Sequence, residues 1–246
     1  MQLVKKQLEY LLIHYFRECY NEFPKGKLIA TESPDFVLKM KSRQNLGIEL
    51  TRLNPFHAAV QNKKEAALEV AGKKIIEQTR ELFMETSRVN LFVKFLFSEN
   101  KIIIPERIPV LSAKLANSVR CAVKGKSSNS YFHEIISGNS LPEDLQEVLI
   151  LHHPKLKVPV WELSNNLGIS ENVPEDIQLT IQKKDEKLIL YQKQQFNSYW
   201  LIITTDRLRG TKNYNLQNKI LKQQFHSRFQ QVFLFDLMRA KIFRLV

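Results

Sequence analysis

Cysteine is nearly absent: the 246 residues hold only Cys19 and Cys121. Two isolated thiols give no basis for a disulfide framework or a cysteine zinc site and point to a reducing cytoplasm. Each reads as a small buried hydrophobe on a helix. Glycine is scarce, at seven residues. The glycines never gather into the phosphate cradle of a Walker or dinucleotide motif, and no serine nucleophile elbow occurs. Nucleotide-driven motors and acyl hydrolases drop out as first readings. No apolar run approaches the ~20 residues that span a bilayer, which argues against a membrane partner. The opening MQLVKKQLEYLLIHYF places basic residues before apolar ones, as a signal peptide does. Glu9, His14 and Arg17 interrupt it and no small-residue cleavage site follows, so an amphipathic helix of the mature protein is expected. Acidic residues are in the minority, 25 against 37 basic ones, for a net charge of +12. That excess favours a polyanionic partner, nucleic acid before others.

What is present is ordinary for a soluble globular protein, with 43% hydrophobic and 25% charged residues. Residues 2–23 repeat apolar side chains at three- and four-residue spacing, predicting a helix that Pro24 and Gly26 stop. Strands are expected over 27–33, 34–40 and 46–53, with a polar turn at 42–45. A long helix is expected over 57–83. VNLFVKFLF (89–97) reads as a strand inside a covered sheet. Pro109 opens a helix to about Lys124, and 125–145 is turn-rich and reads as a loop. EVLILHH and VPVWEL suggest a hairpin through Pro154. A helix from Pro174 to about Gln194, a strand over 199–206, a short helix near 215–224 and two closing strands complete the chain. With no repeat and no long linker, one α/β domain with a mixed sheet is expected over 1–246.

The segment SPDFVLKMKSRQNLGIELTRL (33–53) carries the chemistry. Asp35 and Glu49 are acids on a half-buried hairpin, where an ionised group must be paired or bind a metal. With the turn centred near Arg43, Met40 would pair with Leu46 and Asp35 with Thr51. Glu49 would then be a diagonal neighbour of Asp35, roughly 7–8 Å away by backbone. Two hard oxygen donors beside a basic surface suit Mg²⁺ (or Mn²⁺), which keeps waters and phosphate oxygens as its other ligands.

Pro34-Asp35, thirteen residues, then Glu49-Leu50-Thr51 resembles the motif of the PD-(D/E)XK nucleases, the restriction-endonuclease-like superfamily. Its core runs helix, three strands, helix, strand, matched here by 2–23, 27–53, 57–83 and 89–97, with 101–246 as elaboration. The resemblance implies metal-dependent hydrolysis of phosphodiesters in DNA more than RNA, with Asp35 and Glu49 as metal ligands. It is compatible with a homodimer. The family's lysine falls on Thr51, which supplies no positive charge. Members of the superfamily take that group from a neighbouring element. Lys63 and Lys64 at the start of the next helix, or Lys39 and Lys41 on the preceding strand, are the candidates. Gln61 could position a water, and Glu18 (or Glu9) on the first helix could add a carboxylate. The alternatives are a catalytically inactive nuclease fold that binds nucleic acid or a protein partner, and a structural protein. In the last, Asp35 caps a turn and Glu49 pairs with Lys39 or Arg52 near a sheet edge.

Elsewhere, Lys184, Lys187 and Tyr191 share a helical side that could contact phosphates. Arg207 and Arg209 flank a loop of the same character. His152 and His153 point to opposite strand faces and do not form a metal pair. Tyr199-Trp200 reads as core.

Overall fold

The computed structural model describes residues 2–53, 56, 63–98, 102–164, 169–170, 172–191, 196–206, 209–210 and 216–246. In chain order the elements are α1 (Gln2–Cys19), β1 (Gly26–Ala30), β2 (Phe36–Met40), β3 (Asn45–Arg52), α2 (Lys63–Met84), β4 (Phe92–Phe97) and α3 (Ile108–Val123). Then come β5 (Phe132–Ser137), β6 (Leu145–His152), β7 (Val160–Leu163), β8 (Ile169–Ser170), α4 (Val173–Tyr191) and β9 (Ser198–Thr205). β10 (Arg209–Gly210), α5 (Leu216–Lys222), β11 (Gln231–Asp236) and β12 (Lys241–Arg244) end the chain. The protein is α/β with mixed sheets. Among the described residues no helix is long and apolar enough to cross a membrane.

The chain divides into two compact units. The first comprises Met1–Tyr15 and Val60–Ser164, the second Phe16–Ala59 and Asn165–Val246. The second unit holds a six-stranded sheet in the order β1-β2-β3-β9-β11-β12. β1, β2 and β3 form an antiparallel meander, β3, β9 and β11 run parallel, and β12 returns antiparallel. Parallel neighbours require crossovers, and α4 and α5 supply the helices between β3, β9 and β11. Ile177, Ile181 and Leu188 of α4 and Ile220 of α5 share a core with Leu201, Ile203, Val232 and Leu234. On the opposite face Phe16 from the last turn of α1 meets Phe233 and Phe235 edge-on, at 5.3 and 5.5 Å between ring centres. Trp200 joins that cluster 5.1 Å from Phe233, as core.

The first unit holds a four-stranded sheet, β5-β6-β4-β7, covered by α2 and α3 through Ile75, Phe83, Leu111 and Leu115. This corrects the expected core: β4 lies in a different sheet from β1–β3, so 57–83 and 89–97 do not continue the hairpin. Two further expectations fail. β6 and β7 flank β4 on opposite sides and are no hairpin, and the supposed loop 125–145 contains β5. The first fails because β4 is inserted between β6 and β7, against the usual pairing of consecutive strands. The second fails because the polar, turn-rich flanks of 125–145 mask the short run Phe132–Ser137. Lys94, buried in β4, places its ammonium 2.6 Å from Glu162 opposite it on β7, the partner a buried charge needs. Cys121 is exposed and Cys19 half-buried, so neither is the fully buried thiol expected. Burial and the neighbouring Glu18 push the Cys19 thiol up to about 11, which keeps it protonated and inert.

The two histidines separate as strand alternation requires. His152 is buried, its Nδ1 2.8 Å from the Asn90 carbonyl and its Nε2 2.9 Å from that of Ser128. His153 lies 4.7 Å from the His14 ring and 5.0 Å from that of Tyr10. Its Nδ1 accepts the Lys155 backbone N–H at 3.0 Å, a bond that only a ring unprotonated at that nitrogen can make. Burial first, then Lys155 and His152, hold its imidazolium below the ordinary histidine range. A depressed folded value means the unfolded chain binds more protons. The stabilisation is complete above the ordinary value of about 6.5 and is lost as pH falls through the folded value. Thermal midpoints measured from pH 7 to 5 should fall, and His153→Gln should flatten part of that slope. An unchanged slope would remove His153 as its source.

Candidate functional site

The site forms on β3, third of the six strands and covered on one face by α4. Residues 47, 49 and 51 share a face by strand alternation, the face of Leu201 and Ile203 opposite them on β9. Glu49 is therefore carried into the α4 core, its side chain only 5% exposed. This overturns the reading of Glu49 as an edge residue paired with Lys39 or Arg52. Its Oε1 accepts a hydrogen bond from Lys184 Nζ at 2.7 Å. Arg52 instead donates to the buried Asp206 Oδ2 at 2.8 Å.

The hairpin register differs from the expected one by two residues. Phe36 pairs with Ile48 and Leu38 with Leu46, and Met40 N–H donates to Gln44 O at 3.0 Å. Continuing that pairing by one residue sets Asp35 across from Glu49 rather than Thr51. The turn closes one residue earlier because Arg43 takes a positive φ of 63°, tightening the link. Asp35 immediately precedes β2, and its Oδ2 accepts the Leu50 backbone N–H at 2.7 Å. It thus satisfies a β3 donor where the β2 ladder ends, while its own carbonyl accepts from Thr31 N–H at 2.9 Å. The bond to Leu50 crosses the hairpin over 15 positions, so Asp35 is no local turn cap; it is held against the β3 backbone at the residue after Glu49. Gly47 lets Pro34 pack close to β3: a Cβ there would lie 2.9 Å from Tyr199 Cδ1 and 3.0 Å from Pro34 Cγ, displacing the residue that precedes Asp35.

Lys184 is placed by α4. Val173, Ile177, Ile181 and Leu188 form its buried stripe, and Lys184 occupies the same stripe, three residues after Ile181 and four before Leu188. The helix is pinned from its other side. Gln178 exchanges two hydrogen bonds with the His226 backbone, and Asp185 Oδ1 accepts from Ser227 Oγ at 2.9 Å and Arg228 N–H at 3.0 Å. The lysine expected to face phosphates is turned inward to Glu49, while Lys187 remains exposed. The legible signal was a lone lysine within an apolar helical stripe, matching a lone glutamate within an apolar strand.

The other candidates scatter. Thr51 is half-buried and its carbonyl accepts from Thr204 Oγ1 at 3.2 Å. Lys39 is exposed on β2 and Lys41 in the turn after it. Lys63 and Lys64 open α2 in the first unit, with exposed side chains. Glu18 is exposed on the last turn of α1. Among the described residues no group of three or more His, Cys, Asp or Glu could hold a metal ion, so Glu18 completes no triad. Gln61 and Arg207 lie outside the described residues, as do the side chains of Arg209 and Tyr191. Compared with known proteins, the chain matches no family model, no curated protein and no solved structure.

Proposed function

We propose that this chain is a metal-dependent phosphodiesterase of nucleic acid, DNA before RNA, built on a restriction-endonuclease-like core in its second unit. The observation that carries the reading is the Lys184 ammonium 2.7 Å from Glu49, supplying the charge that Thr51 lacks. The element order of that unit supports it: the last turn of α1, the meander β1–β3, the crossover helix α4, then β9 parallel to β3. The expected helix and strand are thus sought at 173–191 and 198–205, with 60–164 interposed.

Asp35 and Glu49 fit Mg²⁺ or Mn²⁺, which uses one or two carboxylates and fills its shell with water and phosphate oxygens. When bound, such an ion polarises a phosphoryl oxygen and lowers the pKa of its water. Asp35 is held by Leu50 N–H and Glu49 by the Lys184 ammonium. Lys184 contributes an ammonium in a partly dry site, where it orients an attacking water or balances charge developing on the phosphate. The +12 net charge draws the polyanion in.

Wild-type protein is expected to cleave DNA with Mg²⁺ or Mn²⁺ and not with a chelator. Asp35→Ala and Glu49→Gln should each lower the rate on the order of a hundredfold or more. Equal activity in all three proteins would remove these residues from the mechanism. The Glu49–Lys184 contact also supports a second reading, an inactive member whose acid is committed to an ion pair. Salt-sensitive DNA binding without cleavage would establish that one.

A further inference from the structure

The helix that carries Lys184 also meets an aromatic ring that burial does not explain. Phe56, four residues past the end of β3, is 43% exposed. A single exposed hydrophobic residue is ordinary, but this one is held. Its backbone N–H donates to Asp176 Oδ1 at 2.9 Å, and Asp176 is fully buried in the first turn of α4. Lys183 Nζ stands 4.1 Å from the centre of the ring. The next residue along α4, Lys184, carries the ammonium bonded to Glu49. One helix therefore meets both the acid and the ring. A buried carboxylate anchors the backbone that presents the ring.

We propose that Phe56 is a stacking platform for an unpaired base, so that the site takes single-stranded nucleic acid or the frayed end of a duplex. This rests on the nucleic-acid part of the reading above, with or without hydrolysis, and names the class of strand the site takes. In an intact duplex every base face is covered by its neighbours, and an aromatic ring gains nothing from it. A single strand offers free faces, and stacking on a protein aromatic tolerates any sequence. Lys183 adds a cation at the same ring, available to the phosphate of the stacked nucleotide. Phe56 thereby holds the strand against α4, the helix that also carries Lys184.

The test is binding, measured with the full chain in a chelator by fluorescence anisotropy, so hydrolysis plays no part. Three probes are compared: an oligothymidine, a strand of equal length made of abasic sites, and a duplex of matched length. Phe56→Ala should bind the oligothymidine about tenfold more weakly than wild type, and Phe56→Trp should bind it as well or better. Neither variant should change affinity for the abasic strand or the duplex. Unaltered oligothymidine binding by Phe56→Ala, or an equal loss on the abasic strand, would overturn the proposal. So would failure of the wild type to bind the single strand. Because no divalent ion is present, Phe56-dependent binding without cleavage in a separate Mg²⁺ assay would reject the nuclease reading and leave this one standing. Cleavage of duplex with no dependence on Phe56 would do the reverse.

Discussion

Lys184→Met is expected to destabilise the protein by about 3 kcal/mol and to abolish the proposed nuclease activity, whereas Glu49→Leu/Lys184→Met should restore stability without restoring that activity. The side chains of Glu49 and Lys184 are 5% and 16% exposed. Removing one member of a buried pair leaves an uncompensated charge and costs about 3–5 kcal/mol. The residual exposure of Lys184 puts the effect at the lower end. Replacing both by apolar side chains of similar volume removes the desolvation penalty altogether. Such exchanges are often neutral or stabilising by about 1–4 kcal/mol, and here Leu and Met would extend a core of Ile177, Ile181, Leu188 and Leu201. Urea unfolding of the two single variants and the double variant reads the cycle, and a nuclease assay on the same samples reads function. A stable, inactive double variant would show that the pair serves chemistry at some cost to stability. A double variant as unstable as Lys184→Met would show that the pair holds the fold together.

Phe16→Ala is expected to lower the stability of the second unit by about 3–5 kcal/mol, the range for truncating a buried aromatic residue. Phe16 is wholly buried and packs edge-to-face against Phe233 and Phe235, with Tyr20 5.5 Å and Phe23 6.1 Å from its ring. Truncation would empty the space between the end of α1 and the strand β11. These neighbours are rigid rings on a sheet, so the cavity collapses poorly, and the cost should stand toward the upper end. Amide hydrogen exchange in β9 and β11 locates the effect. Protection unchanged in those strands would mean that the end of α1 does not stabilise the sheet.

The features legible from sequence are those set by short-range physics. Apolar side chains at helical spacing drew α1, α3 and α4 close to their observed bounds, and the alternating and continuous apolar runs drew β2, β3, β4, β9 and β11. Proline and glycine marked where α1 ends and α3 and α4 begin. The carboxylate hairpin was legible for the same reason, since Asp35 and Leu50 are separated by 15 positions and bridged by one turn. Its register was off by two residues because the polar stretch 41–45 accommodates more than one turn, and only the positive φ at Arg43 selects the tighter one.

The apolar strand 89–97 could have lain beside β3 as well as anywhere else, because a covered strand carries no address. Segment 60–164 has enough apolar surface to close its own sheet with α2 and α3, so β4 finds partners in β6 and β7. The place beside β3 passes to β9. The lysine follows from that choice. A glutamate carried into a covered sheet demands a cation, which residue chemistry alone dictates. Which lysine answers depends on the helix that covers β3, and that helix starts more than a hundred residues downstream. Lys184 and Glu49 stand 135 positions apart. The need for a partner was written in the strand; its identity came from the packing of α4 against it.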